Sequence, residues 1–161
     1  MAAIAQMAQS SRAAAQILIR HGARAATDVT GFGLIGHLAG MLEAGGVDAR
    51  LDLDRLPVLD GARETMAAGI LSSLHPQNAE RQAAVMQAGD WEEHPLYPLL
   101  SDPQTAGGLL AAVPAHEAAA CLAGLVASGY GEAAIIGEVT VRAGVSSAVM
   151  LGEALNLPGS T

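Results

Sequence analysis

Lysine is absent from this 161-residue chain. Any phosphate chemistry it joins must borrow its ammonium from elsewhere. Cysteine is nearly absent too. Cys121 alone excludes an intrachain disulfide and a cysteine-based metal site, which points to a reducing, cytoplasmic compartment. Aromatic residues make up only 2 % of the chain, so the core must be built from Ala, Leu, Val, Ile and Met. No apolar run approaches the ~20 residues of a membrane span, so no membrane partner is expected. The net charge is −8 and the arginines are scattered, with Arg20 and Arg24 nearest to a cluster. Nucleic acid is therefore not an expected partner, since a phosphate backbone requires clustered cations.

The length suits one domain with a real core. Residues 1–7 lack the basic start and apolar stretch of a secretory leader. The expectation is that Met1 is an artificial start, or that the chain is a piece of a longer protein. Periodicity predicts a helix over 4–21 with Ile4, Met7, Ala14, Ile17 and Leu18 near one face. A weak strand over 23–29 follows, then a helix from Leu34 stopped by Gly45-Gly46. Residues 47–53 alternate strictly. Val47, Ala49, Leu51 and Leu53 are expected inside, with Asp48, Arg50, Asp52 and then Asp54 on a solvated face. Further helices are expected over 58–68 and 77–87. A buried strand is expected over 107–113, then a helix started by Pro114 whose inner face is Ala118, Cys121, Leu122, Leu125 and Val126. Strands over 134–141 and 148–151 and a loose tail over 157–161 close the chain. Strands and helices alternate without a steady βα rhythm. The expected class is α+β, a mixed sheet with helices on both faces.

The chemistry is concentrated at Thr27-Asp28-Val29-Thr30-Gly31-Phe32-Gly33. A strand end, bare glycine amides and a helix start make a place for a phosphate and its metal. Asp28 at the strand end can hold Mg²⁺, and Thr30 can bond a phosphate or a metal-bound water. The competing reading is that Asp28 and Thr30 merely cap the next helix. Gly31, Gly33 and Gly36 also match the dinucleotide fingerprint, with Asp52 near the spacing of a ribose-binding acid. That pattern alone is weak, and it follows a polar rather than an apolar strand. Phe32 either stacks near a nucleotide or pins the turn onto the core, the second being favoured. His37 is expected to be structural or on the surface. Gly107-Gly108 reads equally as a phosphate loop or as a tight entry into a strand.

The segment Thr27–Leu34 with Gly36-His37-Leu38 resembles the C-terminal domain of selenophosphate synthetase (selenide, water dikinase). Ser101-Asp102-Pro103-Gln104-Thr105-Ala106-Gly107-Gly108-Leu109-Leu110 is similar to a second motif of that family. Leu71-Ser72-Ser73-Leu74-His75-Pro76-Gln77-Asn78 and Ala134–Val139 agree less distinctively. The resemblance implies a three-layer α/β/α domain like that of aminoimidazole ribonucleotide synthetase, occupying residues 1–161. It also implies a missing N-terminal domain that carries the reactive Cys or selenocysteine, an essential Lys, most magnesium-binding acids and much of a homodimer contact. The implied reaction converts ATP, selenide and water to selenophosphate, AMP and phosphate. By the same resemblance Asp28 binds Mg²⁺. Thr30, Gly31, Phe32 and Gly33 face the ATP phosphates, and Gln104, Thr105, Gly107 and Gly108 form a second loop beside them. Ala106 departs from the family's usual Ser. The alternatives are a stand-alone binding or regulatory module of the same fold, and a dinucleotide-binding domain.

Overall fold

Two small sheets share one long helix between them. The computed structural model describes residues 2–87, 89–146 and 148–152; the predicted tail over 157–161 lies outside them. The helices are α1 (Ala2–Ala8), α2 (Arg12–Arg20), α3 (Gly33–Gly45), α4 (Ala62–Ala67), α5 (His75–Ala83) and α6 (Ala115–Ala127). The strands are β1 (Ala25–Asp28), β2 (Val47–Leu51), β3 (Met86–Gln87), β4 (Leu109–Ala112), β5 (Gly137–Val141) and β6 (Val149–Leu151). β1 pairs antiparallel with β4, Asp28 lying opposite Leu109. The other four strands form a mixed sheet in the order β3-β6-β2-β5. The class is the expected α+β, with the strands divided between two sheets rather than joined in one.

The layering follows from the period of two along β4. Leu109, Ala111 and Val113 pack on Ile17, Leu18 and Cys121 of α2 and α6. Leu110 points the other way, into the cluster of Ile35, Leu38 and Leu42 on α3. Helices thus cover both faces of the two-stranded sheet. The same α3 cluster continues through Ala49, Leu51, Leu53, Leu100 and Val149, which ties α3 to the mixed sheet.

Several expected elements are shorter or divided. The helix over 4–21 breaks into α1 and α2, and Tyr130 fastens the break. Its hydroxyl donates to the Ser10 carbonyl at 2.8 Å and accepts from the Ala14 amide at 3.1 Å. Ile4 and Met7 are not on an inner face, being 68 % and 55 % exposed. The helix expected over 58–68 forms only as α4, after Gly61 turns the chain at φ 84°. On α6 only Cys121 is fully buried, and Val126 is exposed. Residues 134–136 stay outside β5.

The clearest correction concerns the alternating strand. Asp48 and Asp52 are each 2 % exposed, not solvated. Asp48 accepts the amides of Ala143 and Ala148, both at 2.8 Å, and so closes the loop between β5 and β6. Those two amides hold its carboxyl below the ordinary value, outweighing the opposing effect of burial, with Arg142 adding to the lowering. Asp52 caps a 3-10 turn at Leu53–Arg55, accepting from the Asp54 amide and from Arg55 Nε. Alternation sorts side chains by face, but a polar side belongs to solvent only if no other segment crosses it.

Candidate functional site

β1 ends at Asp28, and the chain turns through Val29–Phe32 into α3. Asp28 is exposed, and its carboxylate accepts no hydrogen bond among the described residues. Val29 is buried and anchors the turn, its amide donating to the Gly108 carbonyl at 3.0 Å. Thr30 spans the two loops. Its carbonyl accepts from the Gln104 amide at 3.0 Å and from the Gly33 amide at 3.1 Å. Its own amide donates to His37 Nε2 at 3.0 Å, with the hydroxyl 3.1 Å from the same nitrogen. A backbone N–H requires an acceptor, so Nε2 carries no proton and His37 is neutral in this arrangement.

Two glycines are required where the loops touch. At Gly107 a Cβ would lie 2.1 Å from the Val29 carbonyl oxygen. Gly33 has φ +68°, and a Cβ there would meet the Ser101 backbone at 2.8 Å. Gly107 therefore serves a close strand entry. A Cβ at Gly108 would meet nothing within 4 Å. Asn78 binds the loops from below. It is 5 % exposed, and its amide nitrogen donates to the Gly31 carbonyl at 2.9 Å and the Ser101 carbonyl at 3.0 Å. Ser101 also donates to buried Gln82.

Neither Asp28 nor Thr30 caps α3. Phe32 occupies the cap position and no side chain bonds the first-turn amides. The capping reading is thereby corrected. What remains is a carboxylate with no partner among the described residues at the end of β1 and, further along the chain, a helix start with no side-chain cap; the first suits a cation and the second an anion. Magnesium takes oxygen ligands and keeps several waters, so a lone carboxylate fits as one contributor to such a site. No group of three or more His, Cys, Asp or Glu side chains could hold a metal among the described residues.

Of the residues expected on the phosphate side, Thr30 bonds the Gln104–Gly108 loop, Gly31 is held by Asn78, and Gly33 abuts the Ser101 backbone at the start of the second motif. Phe32 does not pin the turn to the core. It is 57 % exposed, lies over Gly36, and carries the Arg81 guanidinium 5.6 Å from its ring centroid. Thr105 and Ala106 are exposed. Asn78, absent from the sequence-predicted site, was visible only as the last residue of the Leu71–Asn78 segment. Asp102 belongs to the Ser101–Leu110 motif but lies outside the expected site. Burial raises its carboxyl above the ordinary value, partly offset by His75 and by the Gln104 side chain, which donates to Asp102 Oδ2 at 3.1 Å.

The dinucleotide reading fails on topology. Its fingerprint needs two parallel neighbouring strands joined by the helix. Here β1 pairs antiparallel with β4, and β2 lies in the other sheet. Asp52 is already engaged by its own turn.

The family model described as AIR synthase related protein, C-terminal domain, matches residues 2–149. A selenide, water dikinase of Trichlorobacter lovleyi is 41 % identical over 117 residues, which are 73 % of this chain and 34 % of that protein. One of Porphyromonas gingivalis is 39 % identical over 140 residues, 86 % of this chain and 40 % of that protein. One of Escherichia coli is 44 % identical over 92 residues, 57 % of this chain and 26 % of that protein. The chain thus spans well under half the length of the curated relatives it matches. No helix among the described residues is long and apolar enough to cross a membrane.

Proposed function

Because the chain belongs to the family of AIR synthase related protein C-terminal domains, we propose that it is the C-terminal domain of a selenide, water dikinase. In this reading it closes an ATP cleft against an N-terminal domain of the same enzyme, in a cytoplasmic homodimer acting on ATP and selenide. The relatives' name supports the choice of reaction. The observation that carries the reading is Asp28, an exposed carboxylate at the end of β1 with no protein partner among the described residues.

Asp28 would hold Mg²⁺, which when bound neutralises phosphate charge during phosphoryl transfer. Thr30, Gly31, Phe32 and Gly33 present backbone and hydroxyl groups on the phosphate side. Gln104, Thr105, Gly107 and Gly108 hold the adjoining loop against them. His37 keeps the Thr30 amide satisfied and the turn in place. One carboxylate without nucleotide and the opposing domain is a poor magnesium site. The isolated chain should therefore hydrolyse no ATP and bind ATP or Mg²⁺ only feebly, as read by Trp91 fluorescence. Robust turnover by the 161-residue chain alone would overturn the proposal. In the complete enzyme, Asp28→Asn should abolish selenophosphate formation while leaving the melting temperature unchanged. Near-normal rates would remove Asp28 from the metal site.

A further inference from the structure

We propose that His37 is a positioning residue for the reaction proposed above. Fixed as its Nδ1–H tautomer, it takes the Thr30 amide and leaves the Thr30 hydroxyl free to donate to a phosphate oxygen of ATP. Phosphate as the ligand rests on that reading; the hydrogen-bond arrangement does not.

Helix geometry lets His37 reach the turn. Side chains on a helix tilt toward its N-terminus, so a residue one turn in can touch the segment that precedes the first turn. His37 lies one turn into α3. Its Nε2 is 3.0 Å from the Thr30 amide nitrogen and 3.1 Å from Thr30 Oγ1. Phe32 braces the imidazole, with ring centroids 5.7 Å apart and planes tilted by 47°. Gly36 makes the brace possible, since a Cβ there would stand 2.6 Å from the Phe32 Cβ.

Two donors thus face a single acceptor. A neutral imidazole offers one unprotonated nitrogen. The amide hydrogen is fixed by the backbone and has no other acceptor among the described residues. The hydroxyl hydrogen rotates to suit. The amide therefore takes Nε2, and the hydroxyl proton is left for an acceptor outside the chain. The Thr30 carbonyl does not compete for it, being held by the Gln104 and Gly33 amides. The other tautomer would let Nε2 donate to Oγ1 but would leave a half-buried amide without an acceptor. On the favoured tautomer Nδ1 donates to water. That nitrogen is not among the buried atoms lacking a partner, and the ring lines a groove of about 520 Å³ between β1 and α3.

Nuclear magnetic resonance tests the arrangement on the 161-residue chain itself. At about pH 8, where an ordinary histidine is neutral, His37 should carry its proton on Nδ1. A scalar coupling should link the Thr30 amide nitrogen to His37 Nε2, because such coupling crosses the hydrogen bond. A proton on Nε2, or no coupling, would overturn the proposal. In the complete enzyme, Thr30→Val and His37→Leu should each cut kcat/KM for ATP about tenfold, the loss expected for one hydrogen bond to a charged group. The double variant should be no slower than the slower single one, because His37 acts through that hydroxyl. His37→Gln carries an acceptor close to the position of Nε2 and should restore most of the rate. Full activity in Thr30→Val, additive losses in the double variant, or His37→Gln as slow as His37→Leu would each defeat the positioning role. Failure of the dikinase reading would show differently: no selenophosphate from the unaltered enzyme, with the Thr30–His37 coupling still in place.

Discussion

Asn78 reaches two carbonyls, at Gly31 and Ser101, that no backbone donor meets among the described residues. Removing it leaves both oxygens without that donor, and Ser101 is buried away from water. Asn78→Ala should lower stability by about 1–3 kcal/mol, read as a fall in the denaturant midpoint. It should also loosen the Gly31 turn, seen as faster amide exchange there. Asp102 behaves in the opposite sense. Its carboxyl is raised by burial, so the folded state favours the protonated form. That advantage is full below the unfolded value near 3.8 and is lost as pH rises through the folded value. Asp102→Asn keeps an acceptor for Gln104 and removes the buried charge. It should raise the melting temperature at pH 7 and leave it unchanged near pH 3.

The loop between β5 and β6 has little apolar packing of its own, and Val145 is almost fully exposed. Its ends are held by one carboxylate. Asp48 is lowered by its two amide donors, so its contribution is present above the unfolded value and is lost as pH falls through the lower folded one. Acid unfolding should therefore begin below about pH 4. Asp48→Ala should lower the melting temperature at pH 7 and flatten its dependence on acid; an unchanged pH profile would remove Asp48 as the cause. The alternation of residues 47–53 revealed the strand but not this role. The donors at Ala143 and Ala148 lie about a hundred residues away, and nothing local announces their arrival.

At the scale of the whole molecule, one apolar cluster joins α3 to the mixed sheet, and Leu53 lies at its centre with no exposed surface. Leu53→Ala should cost about 2–5 kcal/mol and lower the thermal midpoint of the whole chain rather than of one segment. A loss below about 0.5 kcal/mol would mean that α3 and the sheet are not one unit.

The residues that fold locally could be read without the structure. Glycines at 45 and 46 stop α3, alternation marks β2, and the Thr27–Gly33 and Ser101–Leu110 motifs point to the family. Each depends on neighbours a few residues apart. Tertiary structure alone decided which charges are buried, that the strands divide into two sheets, and that Asn78 fastens the two motif loops together. It also decided that Phe32 faces outward. These outcomes depend on segments that meet only after folding, and periodicity carries no information about what will cross a given face.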